Sequence, residues 1–323
     1  MEDRAVEATK YGRLLAGLVL AGAAAFAACT LDAVSIATPE DVVVAEVVLR
    51  AGERQQFALL HRSIGSSGAG AEVPGAVVTV AGPTGGAVRL SPVAGRNCIG
   101  SISALRADSL GSCYASEPGA LSVTPGGRYS LRIEVDGGVL EAVTDVPHDF
   151  RLVQPTAEDC VLPPDTVLPV LWTRSEGTWA YLTETRLIGL RDLLPPESRP
   201  SGEPLDLAGL SIAASDTTIV FPTEFGVFDR FDTTSTATLK AIQHGLPAGT
   251  AASVIIGATD RNLVNWLRGS EFHPSGMVRI PSVQGDGTGV FGSTVAHAFR
   301  LRVMRSGGPA CRVPGTEVAT PPA

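Results

Sequence analysis

Residues 129–135 alternate strictly between apolar and polar, Tyr129-Ser130-Leu131-Arg132-Ile133-Glu134-Val135. Asp136-Gly137-Gly138 separates them from a second run, Val139-Leu140-Glu141-Ala142-Val143. Successive side chains of a strand point to opposite faces, so Tyr129, Leu131, Ile133 and Val135 share one face while Ser130, Arg132 and Glu134 share the other. Such a segment demands a sheet with a core on one side and water on the other. The Asp-Gly-Gly step supplies the positive φ angles of a tight hairpin turn, which makes this the clearest hairpin in the chain.

The same style of short β-branched runs between Gly, Pro and Ser clusters recurs along the sequence, at 42–49, 56–60 and 76–80 in the first half. In the second half it recurs at 166–172, 179–183, 218–221, 237–242, 252–256 and 299–303. These runs are predicted strands. Charged residues make up only 18% of the chain while glycine (36) and proline (23) are plentiful, the profile of many strands joined by turns. One helix interrupts: Thr259 or Asp260 caps its first amides, Leu263, Val264 and Leu267 form the apolar stripe, and Gly269 ends it. The Pro- and Ser-rich residues 194–204 form a surface loop. Just before the hairpin, Leu121 and Pro125-Gly126-Gly127-Arg128-Tyr129 resemble the corner of immunoglobulin- and fibronectin-type domains, where a tyrosine hydroxyl ties the turn to backbone. The expected fold is therefore mainly β. An immunoglobulin-like β-sandwich is expected over 41–155, a second β-rich sandwich with one short helix over 156–312, and a tail over 313–323.

The N-terminal residues add an address. Arg4, Lys10 and Arg13 precede an apolar run over 14–28, the order of a secretory signal's charged and hydrophobic regions. A membrane-spanning helix needs about 20 apolar residues, so this run suits an export signal better than a permanent span. Its ending, Phe26-Ala27-Ala28-Cys29, resembles a lipobox, with Phe26 where leucine or valine is usual. The resemblance implies removal of 1–28, acylation of Cys29 and a lipidated tether over 29–40; the alternative is an ordinary secretory signal with a chance cysteine. Each buried acyl methylene contributes about 0.8 kcal/mol and one chain anchors only marginally, so two or three chains make the tether durable. Thr30 and Leu31, with no aspartate after the cysteine, resemble the sorting pattern that directs lipoproteins to the outer membrane.

With Cys29 assigned to lipid, Cys98, Cys113, Cys160 and Cys311 remain as an even set in an oxidising compartment. Of the three possible pairings, Cys98 with Cys113 and Cys160 with Cys311 are favoured. The first pair is close in sequence inside one inserted loop, and the second sits at the two ends of the second domain. A metal site is the competing account, but no C-x-x-C pair is present.

Several of these features together resemble the bacterial envelope lipoproteins grouped as domain-of-unknown-function family 4249. They are the lipobox cysteine, the first strand over 42–49, Val73-Pro74-Gly75-Ala76-Val77-Val78-Thr79-Val80, and Pro125-Gly126-Gly127-Arg128-Tyr129-Ser130-Leu131. The short helix with Trp266-Leu267 and the later Gly285-Asp286-Gly287-Thr288-Gly289-Val290-Phe291-Gly292 before a final strand complete the likeness. It implies a two-part β-rich envelope protein and carries no catalytic residues to transfer.

Catalytic machinery is not legible. His61, His148, His244, His273 and His297 are scattered, with no H-E-x-x-H spacing. Gly65-Ser66-Ser67-Gly68 does not match a nucleophile elbow. Residues 287–292 satisfy G-x-G-x-x-G, yet a strand rather than a helix follows, so they are expected to form a β-turn. Asp229 with Asp232, or Asp286, could hold calcium, but solvated turn carboxylates are the simpler account. Trp172, Trp179 and Tyr181 could form a sugar-stacking platform, although core packing is the commoner fate of such rings. A net charge of −8 without a basic cluster argues against nucleic acid. The expectation is a non-enzymatic, lipid-anchored envelope module with no cofactor or metal. Its partners would be the membrane, through the lipid, and an outer-membrane receptor or transporter. The alternatives are a glycan-binding or adhesive surface module and, more remotely, a cryptic envelope hydrolase.

Overall fold

The computed structural model describes residues 41–63, 72–83, 86–98, 111–224, 236–268 and 280–311. The signal and tether with Cys29, residues 65–68, Asp229, Asp232, Gly269, His273 and the tail over 313–323 lie outside the described residues.

The first sandwich uses β1 (Val43–Arg50), β2 (Phe57–Arg62), β3 (Val77–Ala81), β4 (Ala87–Val93), β5 (Ser112–Ala115), β6 (Arg128–Val135) and β7 (Gly138–Asp145). The predicted hairpin forms as β6–β7, with Val135 opposite Gly138 and a two-residue turn at Asp136 (φ 52°) and Gly137 (φ 81°). Tyr129, Leu131, Ile133 and Val135 are buried while Ser130, Arg132 and Glu134 are exposed, as alternation requires. β3 pairs with β6 on one side and with β4 on the other. After Leu90, β4 leaves β3 and continues beside β5 through Ser91–Val93, so one strand belongs to both layers. Val47, Leu60, Val78, Val80, Leu90, Tyr114, Leu131, Ile133 and Leu140 meet between the layers. The tyrosine corner is present: the Tyr129 hydroxyl accepts the N–H of Thr124 (2.9 Å) and donates to the Ser122 carbonyl (3.0 Å).

The second sandwich follows with β8 (Leu152–Gln154), β9 (Asp159–Leu162), β10 (Leu168–Trp172), β11 (Ala180–Ile188), β12 (Leu205–Leu210) and β13 (Thr218–Phe221). It is completed by α1 (Thr236–Ile242), β14 (Ala251–Thr259), α2 (Arg261–Arg268) and β16 (Gly287–Val303), while β15 (Gln284–Gly285) pairs with β7 of the first sandwich. A sheet of β13, β10 and β8 packs through Leu168, Val170, Trp172 and Phe221 onto β11, β14 and the end of β16, which supply Tyr181, Val254, Ile256, Phe299 and Leu301. A second tyrosine repeats the corner device, since the Tyr181 hydroxyl accepts the N–H of Ser175 at 2.8 Å.

One expected strand is a helix. Residues 237–242 read as β from their threonine and isoleucine content, but Thr238 and Ile242, four apart, are both fully buried and Leu239 packs beside them. That is the helical period, and Ala237, Leu239, Lys240 and Ala241 are good helix formers. Tertiary burial of one stripe decided the outcome.

β16 joins the two halves. Over this strand's 17 residues, β1 runs parallel to its first part, from Val43 opposite Gly287 to Arg50 opposite Thr294. β9 runs parallel to its last part, from Asp159 opposite Arg300 to Leu162 opposite Val303. β14 lies antiparallel to it from Thr294 to Arg302. Phe291 and Val295 enter the first core; Phe299, Leu301 and Val303 enter the second. The same final strand thus pairs with β1 of the first sandwich and β9 of the second, and at about 3.3 Å per residue it spans about 55 Å.

The G-x-G-x-x-G stretch is therefore the beginning of a long strand and not a β-turn. Its glycines still serve backbone geometry, because Gly289 has φ 134° and a Cβ there would stand 2.0 Å from the carbonyl oxygen of Ala45 on β1.

Both favoured disulfides form. Cys98 is bonded to Cys113 on β5, with Cα atoms 5.6 Å apart, and Cys160 on β9 to Cys311 just beyond β16, with Cα atoms 4.8 Å apart.

Candidate functional site: the cleft beside helix α2

Helix α2 is held at the joint between the sandwiches by one buried carboxylate. Asp260 precedes the helix and is 3% exposed. Its Oδ1 accepts the N–H groups of Leu263 (3.1 Å) and Ser293 (3.0 Å); its Oδ2 accepts the Thr144 hydroxyl (2.8 Å) and the Asn262 N–H (3.3 Å). Of the two cap candidates, Asp260 supplies the N-cap bonds to the helix amides. Burial pushes its carboxyl above the ordinary aspartate range, while the donors from Ser293, Leu263, Thr144 and Asn262 pull the other way without reversing the shift.

The helix then packs on both sides. Leu263 and Trp266 join Val44 and Val290 in one apolar cluster, and Val264 joins Ala180 and Leu210 in another. The Asn262 amide donates to the carbonyls of Val143 (2.8 Å) and Phe291 (2.9 Å), tying the helix to β7 and β16.

Among the described residues this arrangement leaves a cleft of 1110 Å³ between the outer face of the β6–β7 hairpin, the polar face of α2 and the segment leading into β15. Arg132, Glu141 and Val143 line it from the hairpin, Arg261 and Asn265 from the helix, and Ile280 from the third wall. Arg132 donates through Nε to Glu134 at 2.9 Å and through Nη1 to Glu141, and these two acceptors raise its pKa further. The Arg261 guanidinium carbon lies 4.9 Å from the centroid of the Trp179 ring, a cation–π stack. Val143 is 42% and Ile280 56% exposed, so the cleft presents aliphatic surface together with its charged groups.

No protein-family model matches the chain. No curated protein matches it either. Among solved structures, a three-immunoglobulin-domain segment of titin carrying a glutamate-to-alanine change is similar at 9% identity. That likeness covers 80% of this chain and 66% of that one, with a TM-score of 0.19.

The residues singled out from sequence fall in separate places. Trp172 and Tyr181 stand edge-on in the second core with centroids 5.3 Å apart, while Trp179 alone is exposed, so the three do not form a sugar platform. His61 lies on β2, His148 in the link before Phe150, and His244 beyond α1. His297 on β16 approaches the Asp149 carboxylate at 2.9 Å on the surface. Among the described residues no group of three His, Cys, Asp or Glu side chains is placed to hold a metal. Asp286 is committed to the hairpin: its carboxylate accepts the N–H of Val139 at 2.9 Å. Among the described residues no helix is long and apolar enough to cross a membrane.

The cleft residues were not singled out from sequence, although a signal was present. Arg132 and Glu141 lie on the polar face of the alternating hairpin, and Arg261 and Asn265 are four apart on the polar face of the capped helix. Nothing in the sequence brings those two faces together.

Proposed function

We propose that this chain is a non-enzymatic, lipid-anchored protein of the cell envelope that binds or positions another envelope component, an outer-membrane receptor or transporter being the natural partner. The observation that carries the binding reading is the cleft at the joint: it is open and chemically mixed, and its walls are fixed by backbone and cap hydrogen bonds. The long strand shared by the two sandwiches supports the same view, because the joint cannot hinge without breaking main-chain ladders on both sides of β16. Two disulfides fit an oxidising compartment, and the lipobox-like ending at Cys29 supplies the anchor.

The non-catalytic part rests on how the ionisable groups are used. The most buried carboxylate among the described residues, Asp260, has its acceptor capacity taken by four donors that build the joint, which leaves it unsuited to accept a substrate proton.

Intact mass spectrometry of protein purified from its native membrane, with a Cys29→Ala control, tests the anchor. Cleavage before Cys29 and added acyl mass that vanishes in the control are the expected result. A soluble, unacylated chain sinks it. Crosslinking in intact cells should then recover a membrane partner; recovery of none, with acylation present, would reject the accessory role while leaving the anchor intact.

A further inference from the structure

We propose that the cleft between the β6–β7 hairpin and α2 docks an extended peptide segment of a partner protein, one that carries a carboxylate at one end, aliphatic side chains in the middle and a basic or amide-bearing residue at the other end. The inference rests on the binding-module reading above and names the ligand chemistry of that site.

Arg261 provides the carboxylate end. Among the described residues it has no acidic partner, and its stack on Trp179 holds the guanidinium in place without using its N–H donors. A guanidinium stacked on an aromatic face, with no acidic partner among the described residues, matches a carboxylate fork, and holding it in advance lowers the entropy lost on binding. The hairpin end has the opposite character. Arg132 is shared between Glu134 and Glu141, so the three groups sum to one negative charge and favour a cation or a hydrogen-bond donor.

The middle decides peptide over glycan. Val143 and Ile280 offer half-exposed aliphatic surface, suited to valine- or leucine-sized side chains. Sugars stack on flat aromatic faces, and among the described residues the exposed ring nearby, Trp179, already carries Arg261 on its face. Asn265 also lines the cleft, and its side-chain amide can both donate to and accept from a peptide unit. The cleft volume of 1110 Å³ is large enough for several residues and lies just above the usual range for small-molecule pockets.

The test is fluorescence anisotropy with the full-length, detergent-solubilised protein. The probes are labelled, end-blocked five-residue peptides with glutamate at one end, three valines between and lysine at the other, made in both orders. Matched peptides replace the glutamate by glutamine or the lysine by glutamate. Saturable binding of one order is expected, about tenfold weaker for the glutamine peptide, the scale of one charge-assisted hydrogen bond. Arg261→Ala should make the glutamate and glutamine peptides bind alike, a loss of discrimination that a general loss of folding does not mimic. Arg261→Lys should retain part of the preference.

A preference for glutamate that survives Arg261→Ala overturns the proposal, as does the absence of saturable binding by every peptide. So does Arg261-dependent binding of an N-acetylglucosamine oligomer in their place. The acyl mass at Cys29, measured on the same preparation, separates a failed anchor from a failed cleft.

Discussion

Thr144 on β7 donates its hydroxyl to Oδ2 of Asp260 across 2.8 Å, linking the last strand of the first sandwich's hairpin to the cap of the helix at the joint. Ser293 of β16 closes the triangle, its hydroxyl 3.0 Å from that of Thr144 and its N–H on Oδ1 of the same aspartate. Three segments far apart in sequence therefore meet at one buried carboxylate, and removing it should be felt in all of them.

Asp260→Ala is expected to lower stability by about 2–4 kcal/mol, combining loss of an N-cap at about 1 kcal/mol with the orphaning of buried donors at about 1–3 kcal/mol. Asp260→Asn keeps one accepting oxygen for Leu263 and Ser293 but turns the other into an NH2 facing the Asn262 N–H, so it should lose less than alanine without matching wild type. Equilibrium urea unfolding of the three proteins checks the order; equal stability of wild type and the alanine variant contradicts the structural role.

The same carboxylate predicts a pH dependence. Its folded pKa is raised, with desolvation as the largest cause, above the unfolded value of about 4. Its favourable contribution is therefore fully present below the unfolded pKa and is lost as pH rises through the folded pKa. The stability of wild type relative to Asp260→Asn should fall across that window and level off above it. Unfolding curves at a series of pH values read the difference directly, and a rise with pH in this window would mean that the hydrogen bonds outweigh burial.

Gly289→Ala should destabilise by about 3 kcal/mol or more, because the backbone there is left-handed and the added Cβ would overlap the Ala45 carbonyl. The shared strand would have to part from β1. A thermal melt checks this, and a variant melting with wild type would show that β1 does not pair there.

Tyr129→Phe and Tyr181→Phe each leave turn amides without their acceptor, at about 1–3 kcal/mol apiece. One tyrosine sits in each core, but β16 belongs to both, so both variants should shift one common transition. Calorimetry showing two separable transitions, each moved by only one variant, would mean that the sandwiches unfold independently.

Breaking the disulfides should have unequal effects. In the chain-entropy model the Cys160–Cys311 bond, spanning 151 residues, restricts the unfolded chain more than Cys98–Cys113, spanning 15. The expected losses on double serine substitution are about 5 and about 3 kcal/mol respectively. Denaturant unfolding of the two double variants gives the comparison, and a reversed order would point to native-state strain over chain entropy.

Much of the local structure was legible because it depends on neighbours in sequence. The Tyr129–Val135 alternation, the Asp136-Gly137 turn, the Asp260 cap and the Tyr129 corner all work within a few residues, where side-chain period and turn chemistry act directly. The helix at Thr236–Ile242 was less legible, since a short run with threonine and isoleucine satisfies both periods. Only the core that received Thr238 and Ile242 selected one.

By itself the sequence determined that the chain is mainly β, which face of the Tyr129–Val135 strand is buried, where helix α2 is capped, and that four cysteines stand ready to pair once Cys29 is set aside. Only the tertiary structure decided that Gly287–Val303 is one strand serving two sandwiches, that Trp172 is buried while Trp179 carries Arg261, and that Arg132 and Arg261 end up across a common cleft. The physical reason is that periodicity records whether a side chain leaves water, whereas the identity of what covers it, or what it is left facing, depends on segments brought together from far away in the sequence.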